Sequence, residues 1–265
     1  MLLKVFGIAL FFTLILTSIG LVIGSLFGIQ AALLLGAILF LIALLLDALA
    51  YWYAPNIILR KYKAKVSTNA EVNDIVERMA INAKIPVPKA YIIPMDVPNS
   101  FAIGMGEKAA IGVTEGLLSL NKGEIEGVVA HGIWHLRDGN VAVQDFAGTL
   151  AHMLYYTVVL IPLAILILRF SLNPTREYFA DYYGSRFSRK PRDLGTALGK
   201  MSETARQNPL RGSPAFEGIW VTDPFKRDGL PRWFSADPPT ARRVKRLEDM
   251  MHEGIPEPPE VTEVD

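Results

Sequence analysis

The sequence predicts a mainly helical α+β protein in which an N-terminal transmembrane helical hairpin precedes a domain with a small β-sheet. Three observations support this prediction: two long apolar segments at the N-terminus, two short β-type runs near residue 100, and helix-type spacing of apolar residues in several later segments. The 265 residues allow one substantial domain beside the hairpin. We place the hairpin at residues 1–55, the domain at 56–252, and an acidic, proline-rich and therefore disordered tail at 253–265.

Two apolar segments predict the hairpin. The segment from Val5 to Phe27 has 23 residues and no charge, and that from Ile29 to Tyr53 has 25 residues with one charge, Asp47. Each exceeds the roughly 20 residues that cross the hydrocarbon core of a membrane. A cleaved signal peptide would be followed by a polar chain and not by a second span. Asp47 is either an interfacial residue or a functional carboxylate inside the membrane.

Basic residues at both ends of the hairpin predict its orientation. Lys4 precedes the first span, the turn at 28–30 is uncharged, and a basic segment follows the second span with Arg60, Lys61, Lys63 and Lys65. Because positive charge stays on the cytoplasmic side, both termini and the domain should be cytoplasmic. We therefore expect a multi-pass protein of the cell membrane, in contact with lipid.

The overall composition limits the partners and the metal ligands. With 27 basic and 26 acidic residues, and no concentration of basic residues on one predicted helix face, the chain gives no reason to expect a nucleic-acid partner. It contains no cysteine. Disulfides therefore do not support the fold, and a metal ion would have to be held by His, Asp or Glu.

The central part of the chain predicts a helix, a β-hairpin and a second helix. Apolar spacing predicts a helix over 70–83, and "IPVPKAYIIP" is extended because proline disfavours a helical residue before it. Runs at Ser100–Ile103 and Ala109–Val113 flank a glycine-rich turn, which predicts a hairpin. Asn121 and Glu124 predict a capping box at the start of the next helix, whose three glycines require support from tertiary contacts.

That helix carries a candidate pair of metal ligands, His131 and His135. Residues four apart lie on one face of a helix, so both imidazoles can reach one ion. The pair alone is more often a coincidence than a site. A catalytic zinc ion needs a third protein ligand, and Glu177, near the start of the polar helix that begins at Asn173, is a candidate. Asp181 shares its face and is able to orient a ligand histidine; alternatively, both carboxylates belong to a solvated helix start.

The order of several motifs resembles the HtpX-type membrane zinc metalloproteases, relatives of the CAAX-prenyl endopeptidases. The resemblance covers about residues 1 to 250. The matching pieces are the hydrophobic hairpin, "NSFAIG" at 99–104, "GLLSLNKGEIEGVVAHGIWHLRDGN" at 116–140, "REYFAD" at 176–181 and "ADPPTARRVKRL" at 236–247. Their combination in this order is far more specific than any single motif.

The resemblance implies a zincin-like peptidase domain with an active-site helix and an edge strand. By resemblance, one Zn²⁺ is held by His131, His135 and Glu177, and Asp181 orients a ligand from behind. The edge strand at Asn99, Ser100, Phe101, Ala102 and Ile103 would hold an extended peptide substrate by main-chain pairing. Substrates would be unfolded polypeptides or membrane proteins.

Two departures from the family pattern affect catalysis. The family has a glutamate after its first histidine, where this chain has Gly132. Without that general base, a factor of about 10²–10⁴ in rate is lost. The family also has a histidine before two prolines where this chain has Asp237, and a carboxylate there would repel a developing oxyanion. Gly132 is either a natural loss or an engineered change, and the chain should be weak or inactive.

The apolar segment at 141–170 is a third departure, because family members commonly have a longer insertion here. One membrane crossing would separate Glu177 from His131, and 30 residues are too few for two crossings of roughly 20 residues plus a turn. The segment should therefore enter the membrane and return, or pack as a buried or interfacial helix pair, with a break near Pro162. His152 within it should be structural.

Three functional hypotheses follow. The first is a membrane-anchored zinc metalloendopeptidase that cleaves misfolded or membrane proteins on the cytoplasmic side, impaired by Gly132. The second is a non-catalytic pseudoprotease that keeps zinc and the groove for peptide binding or as a quality-control adaptor. The third is a membrane scaffold without a metal, in which the two histidines belong to the core.

Overall fold

The computed structural model describes residues 2–139, 141–155, 161–171, 175–210, 214–225 and 238–253. Its elements confirm the predicted mainly helical fold with a small sheet. In chain order they are α1 (Leu2–Ser25), α2 (Ile29–Lys61), β1 (Lys65–Val66), α3 (Ala70–Ala83), β2 (Lys89–Ile93), β3 (Ser100–Ile103), β4 (Ala110–Thr114), α4 (Lys122–Asp138), α5 (Val141–Tyr155), α6 (Ile161–Ser171), α7 (Thr175–Ser188), α8 (Pro191–Gln207) and α9 (Thr240–Glu253).

Helices α1 and α2 form the N-terminal hairpin, and both are long and apolar enough to cross a membrane. Small residues let their backbones approach closely: a Cβ atom on Gly24 would lie 2.5 Å from the Cα atom of Ala32. Such small-residue contacts are typical of helix packing in membranes. Helix α2 continues through Pro55 to Lys61, so the boundary predicted at residue 55 falls inside a helix.

Asp47 lies at the contact between these two helices. Its side chain is buried, and the Thr13 hydroxyl donates a hydrogen bond of 2.9 Å to its Oδ2 atom. Because a hydroxyl partner reduces the cost of burying a carboxyl group, this contact explains how the one charged residue of the second apolar segment fits between apolar helices.

The four described strands form one sheet in the order β1-β2-β4-β3. The predicted hairpin is confirmed, because β3 pairs antiparallel with β4 and Ser100 lies opposite Val113. Strand β2 runs parallel to β4, and β3 is the last strand of the sheet. The sheet therefore presents β3 at one edge.

Helix α4 is the central helix of the domain and begins with the predicted capping box of Asn121 and Glu124. Its glycines are supported by neighbours: a Cβ atom on Gly127 would lie 3.0 to 3.1 Å from Leu194 of α8. The Glu124 carboxylate of α4 is buried and accepts a hydrogen bond of 2.6 Å from Lys200, which like Leu194 belongs to α8. Close backbone contact and paired charges fix α4 against α8.

Helices α5 and α6 replace the single long helix that the apolar segment at 141–170 could have formed. They have 15 and 11 residues, pack against each other, and share a hydrophobic core with α1 and α2. At about 1.5 Å per residue, each is shorter than a membrane core of about 30 Å. The expected helix pair is therefore present, with Pro162 at the second position of α6.

Helix α7 crosses α4 with almost no space between the two backbones. A Cβ atom on Gly184 would lie 2.9 Å from both the N and the Cα atoms of His131. The absence of a side chain at position 184 is therefore what allows α7 to approach the segment of α4 that carries the histidines.

We expect Gly184→Ala to lower the free energy of unfolding by about 1–3 kcal/mol, because the new methyl group would overlap backbone atoms that cannot move aside. Thermal or denaturant unfolding of the purified chain in detergent measures the effect. The matched control is Gly199→Ala on α8, where nothing lies within 4 Å of the added Cβ atom. That control should gain about 0.5–1 kcal/mol from helix propensity, and equal effects of the two changes would contradict the packing argument.

Candidate metal centre

The structure brings His131, His135 and Glu177 together. The two Nε2 atoms of the histidines lie 3.1 Å apart. The His131 Nε2 atom lies 3.3 Å from Glu177 Oε2, and the His135 Nε2 atom lies 3.4 Å from Glu177 Oε1. All three residues are buried and form a group able to hold a metal ion.

The donor set fits a metal site of two imidazoles and one carboxylate. Zinc bonds of about 2.0–2.1 Å at tetrahedral angles place ligand atoms about 3.3–3.4 Å apart. The two imidazole nitrogens are 3.1 Å apart, and each lies 3.3 or 3.4 Å from a different oxygen of Glu177. In addition, the buried Oε2 atom of Glu177 has no hydrogen-bond partner in the described structure. An ion among the three side chains would give that oxygen a partner.

A metal ion binds neutral imidazoles and ionised carboxylates, and the pKa shifts of His135 and Glu177 favour these forms. Burial lowers the pKa of His135, which favours the neutral imidazole that binds metals. Burial opposes ionisation of Glu177, but the neighbouring histidines outweigh it and hold its pKa well below the ordinary value. Burial also opposes the charged form of His131, but the neighbouring carboxylates of Asp181 and Glu177 raise its pKa. A metal ion at His131 would compete with a proton for Nε2.

Asp181 lies behind His131, as the resemblance implied. Its Oδ1 atom is 3.0 Å from His131 Nδ1. With the Nδ1–H group donating to the carboxylate, the lone pair of Nε2 faces the cluster. Carboxylates that fix the tautomer and orientation of a ligand histidine are a general feature of metal sites.

Arg243 on α9 is a residue of the site that the sequence analysis did not identify. Its Nε and Nη2 atoms donate to the two oxygens of Asp181 at 2.8 and 2.7 Å, and the side chain is fully buried. Burial would raise the pKa of Asp181, but this guanidinium group outweighs burial and lowers it. The motif that carries Arg243, "ADPPTARR", was visible in the sequence, but nothing in it indicates contact with Asp181.

The outer side of β3 is partly occupied by the chain itself. The Val221 N–H group donates to the Ser100 carbonyl at 3.0 Å, and Phe101 forms an antiparallel bridge with Trp220. The Asn99 side chain donates to the Thr222 carbonyl at 2.7 Å. Residues 220–222 thus lie along the strand like a short additional strand.

This arrangement bears on the substrate strand predicted over Asn99–Ile103, which stays a prediction. The strand is at the edge of the sheet, but Asn99, Ser100 and Phe101 are buried and bonded within the chain. Ala102 lines the same small cavity as His131 and Gly132. Substrate pairing at Ala102 and Ile103 stays a prediction, whereas Asn99 and Ser100 hold residues 220–222.

Comparisons with known proteins agree with this geometry. Residues 66–251 match the model of peptidase family M48. A protein described as "Protease HtpX homolog" from Pyrococcus abyssi is 36% identical, over 89% of this chain and 91% of its own length. Proteins with the same description from Salinibacter ruber and Methanocaldococcus jannaschii are 32% and 31% identical, over 80% and 79% of this chain and 86% of their own lengths.

The chain belongs to peptidase family M48. It is of the HtpX type, and it therefore belongs to a family of membrane-associated metalloproteases. The His131, His135 and Glu177 group is the candidate metal centre of this M48 domain.

Gly132, which occupies the position where the resemblance implies a glutamate, has no side chain to accept a proton. A Cβ atom at this residue would lie 3.2 Å from the end of the Ile111 side chain and 3.7 Å from Ala102 Cβ, so the position faces the sheet. The other described residues that line this cavity, Gln144 among them, include no carboxylate. Asp138, at the C-terminal end of α4, does not replace a base at position 132, because its Oδ2 atom lies 3.5 Å from Arg176 Nη2. Asp237, the second departure, lies outside the described residues.

We expect the purified chain to carry a divalent metal ion, and His135→Ala to lose most of it, because two ligands hold an ion far more weakly than three. Elemental analysis of dialysed protein gives the metal-to-protein ratio. His152→Gln is the matched control, since His152 lies near Lys61 and is not part of the cluster. A ratio that is unchanged in His135→Ala would contradict the assignment of the centre.

Proposed function

We propose that this protein is a membrane-anchored zinc metalloendopeptidase of the HtpX type whose catalysis is strongly reduced by Gly132. The observation that carries the proposal is the buried group of two imidazoles and one carboxylate on a chain of the M48 family. Its substrates would be misfolded polypeptides or membrane proteins. Zinc fits the donor set because catalytic zinc sites use two histidines and one glutamate as protein ligands.

The residues of the centre have different proposed roles in metal binding, ligand orientation and substrate binding. His131, His135 and Glu177 would hold the ion, and Asp181 keeps His131 in the required tautomer. When bound, zinc supplies Lewis-acid polarisation of a substrate carbonyl group. Ala102, which lines the same cavity as His131, would pair with an extended peptide beside the centre. What is missing is a group at position 132 to accept a proton from the attacking water and pass it to the leaving amine.

A second function has a specific observation in its favour. The candidate metal ligands and the edge residue Ala102 are both present, whereas the residues described around the cavity that Ala102 and the two histidines line include no carboxylate that could act as a general base. A pseudoprotease that binds unfolded peptides without cleaving them, as a quality-control adaptor, would need only the parts that this chain retains.

We expect Gly132→Glu to raise the rate of casein cleavage by about 10²–10⁴-fold, the usual contribution of general acid–base catalysis. Only the tip of the Ile111 side chain must shift to admit the new side chain at its base. The control is Gly132→Gln, which has the same size but cannot accept the proton and should stay inactive. If Gly132→Glu binds zinc and still does not cleave, the adaptor function is favoured.

We further propose that both termini and the M48 domain are cytoplasmic, because Lys4 and the basic segment from Arg60 to Lys65 flank the hairpin while its turn is uncharged. The chain has no cysteine, so single cysteines report cleanly on topology. A membrane-impermeant maleimide should label Gln30→Cys in intact cells and Lys65→Cys only after permeabilisation. The reverse pattern would place the domain on the outer side.

A further inference from the structure

A continuous series of hydrogen bonds joins the edge strand to a metal ligand. The Ser100 carbonyl accepts from Val221 N–H at 3.0 Å, and the Val221 carbonyl accepts from Arg243 Nη1 at 2.7 Å. The same guanidinium group donates two bonds to Asp181, and Asp181 bonds His131 Nδ1. Substrate-side and metal-side groups are therefore linked through one arginine.

Burial makes these bonds strong and their geometry demanding. The side chains of Arg243 and Asp181 are 1% and 2% exposed, and His131 is fully buried. An unpaired charge there would cost several kcal/mol, so the bonds cannot be exchanged for water. The guanidinium group is rigid and planar, and its donors point in fixed directions. A displacement of the Val221 carbonyl must therefore move the guanidinium group or break one of its bonds.

We propose that Arg243 is a positioning residue that couples the place of residues 220–222 on the edge strand to the orientation of His131. The inference rests on the proposed metal site. The coupling acts in both directions. Metal binding, which fixes His131, should stabilise residues 220–222 on β3. A peptide that displaces these residues should lower the affinity of the site for the metal. Coupling between two sites is equal in both directions by thermodynamic necessity.

A purely structural role for Arg243 predicts a different effect of Arg243→Lys and no effect of metal on residues 220–222. If the arginine only neutralised Asp181, a lysine would serve almost as well, and metal would not influence residues 220–222. A lysine keeps the positive charge but has one donor nitrogen, which cannot bond both the Val221 carbonyl and two carboxylate oxygens in the arginine geometry. Arg243→Lys therefore separates charge from positioning, and the exposed neighbour Arg242→Lys is its matched control.

The test is hydrogen exchange and zinc titration on the full chain in detergent. In wild type, we expect zinc to slow exchange in residues 219–225 by about 10-fold, within the usual range of coupling between sites. Strand β2 should be unaffected. In Arg243→Lys, zinc affinity should fall about 10- to 100-fold, as for other groups that orient metal ligands, and zinc should no longer slow exchange in 219–225. Arg242→Lys should behave as wild type.

The outcomes are distinct. If wild type binds zinc but exchange in 219–225 does not change, this inference is wrong while the proposed metal site stands. If Arg243→Lys keeps both wild-type affinity and the zinc-dependent slowing, the arginine is not the coupling residue. A wild-type chain that binds no zinc overturns the metal site and this inference together. The wild-type comparison of 219–225 with β2 decides the coupling even if Arg243→Lys does not fold.

Discussion

The crossing of α4 and α7 is the contact on which the site depends. Gly184, Asp181 and Glu177 are spaced by three and four residues, so they lie on one face of α7. Gly184 lets that face rest on the backbone of His131, and the two carboxylates then reach the two different ring nitrogens of that imidazole. One close helix contact thus determines both the third ligand of the candidate metal centre and the orientation of His131.

The part of the site that could be predicted from sequence is local. His131 and His135 are one helical turn apart, the capping box spans three residues, and the β3–β4 hairpin joins neighbouring strands, so each is visible as a short pattern. The inclusion of Glu177 required either a family resemblance or a structure, because helix spacing cannot show which distant carboxylate meets the histidines.

The part that could not be predicted depends on contacts between distant segments. Arg243 is 62 positions from its partner Asp181, and Trp220 pairs with Phe101 across more than 100 positions. The sequence around 220 gives no strong strand pattern, so its main-chain pairing with β3 follows from tertiary structure alone. For the same reason the sequence does not show that residues 220–222 bond to Asn99 and Ser100.

His131 and Gly132 contact different neighbours of α4, although both line the same small cavity. Successive helical residues are rotated by about 100°, so His131 contacts α7 whereas Gly132 faces Ile111 and Ala102 of the sheet. The residue at position 132 is therefore not needed to hold His131 and His135 in place. The cluster of candidate ligands does not by itself require that the chain cleaves peptides.

The metal cluster also constrains how the chain meets the membrane. The three ligand residues come from helices on either side of α5 and α6, and they share one cluster, so a single membrane crossing between them is incompatible with the site. The lengths of α5 and α6 agree with this, since neither is long enough to cross. Among the described residues, α1 and α2 are the helices that are long and apolar enough to span a membrane. If both of them span it, the orientation of the hairpin decides in which compartment the metal centre acts.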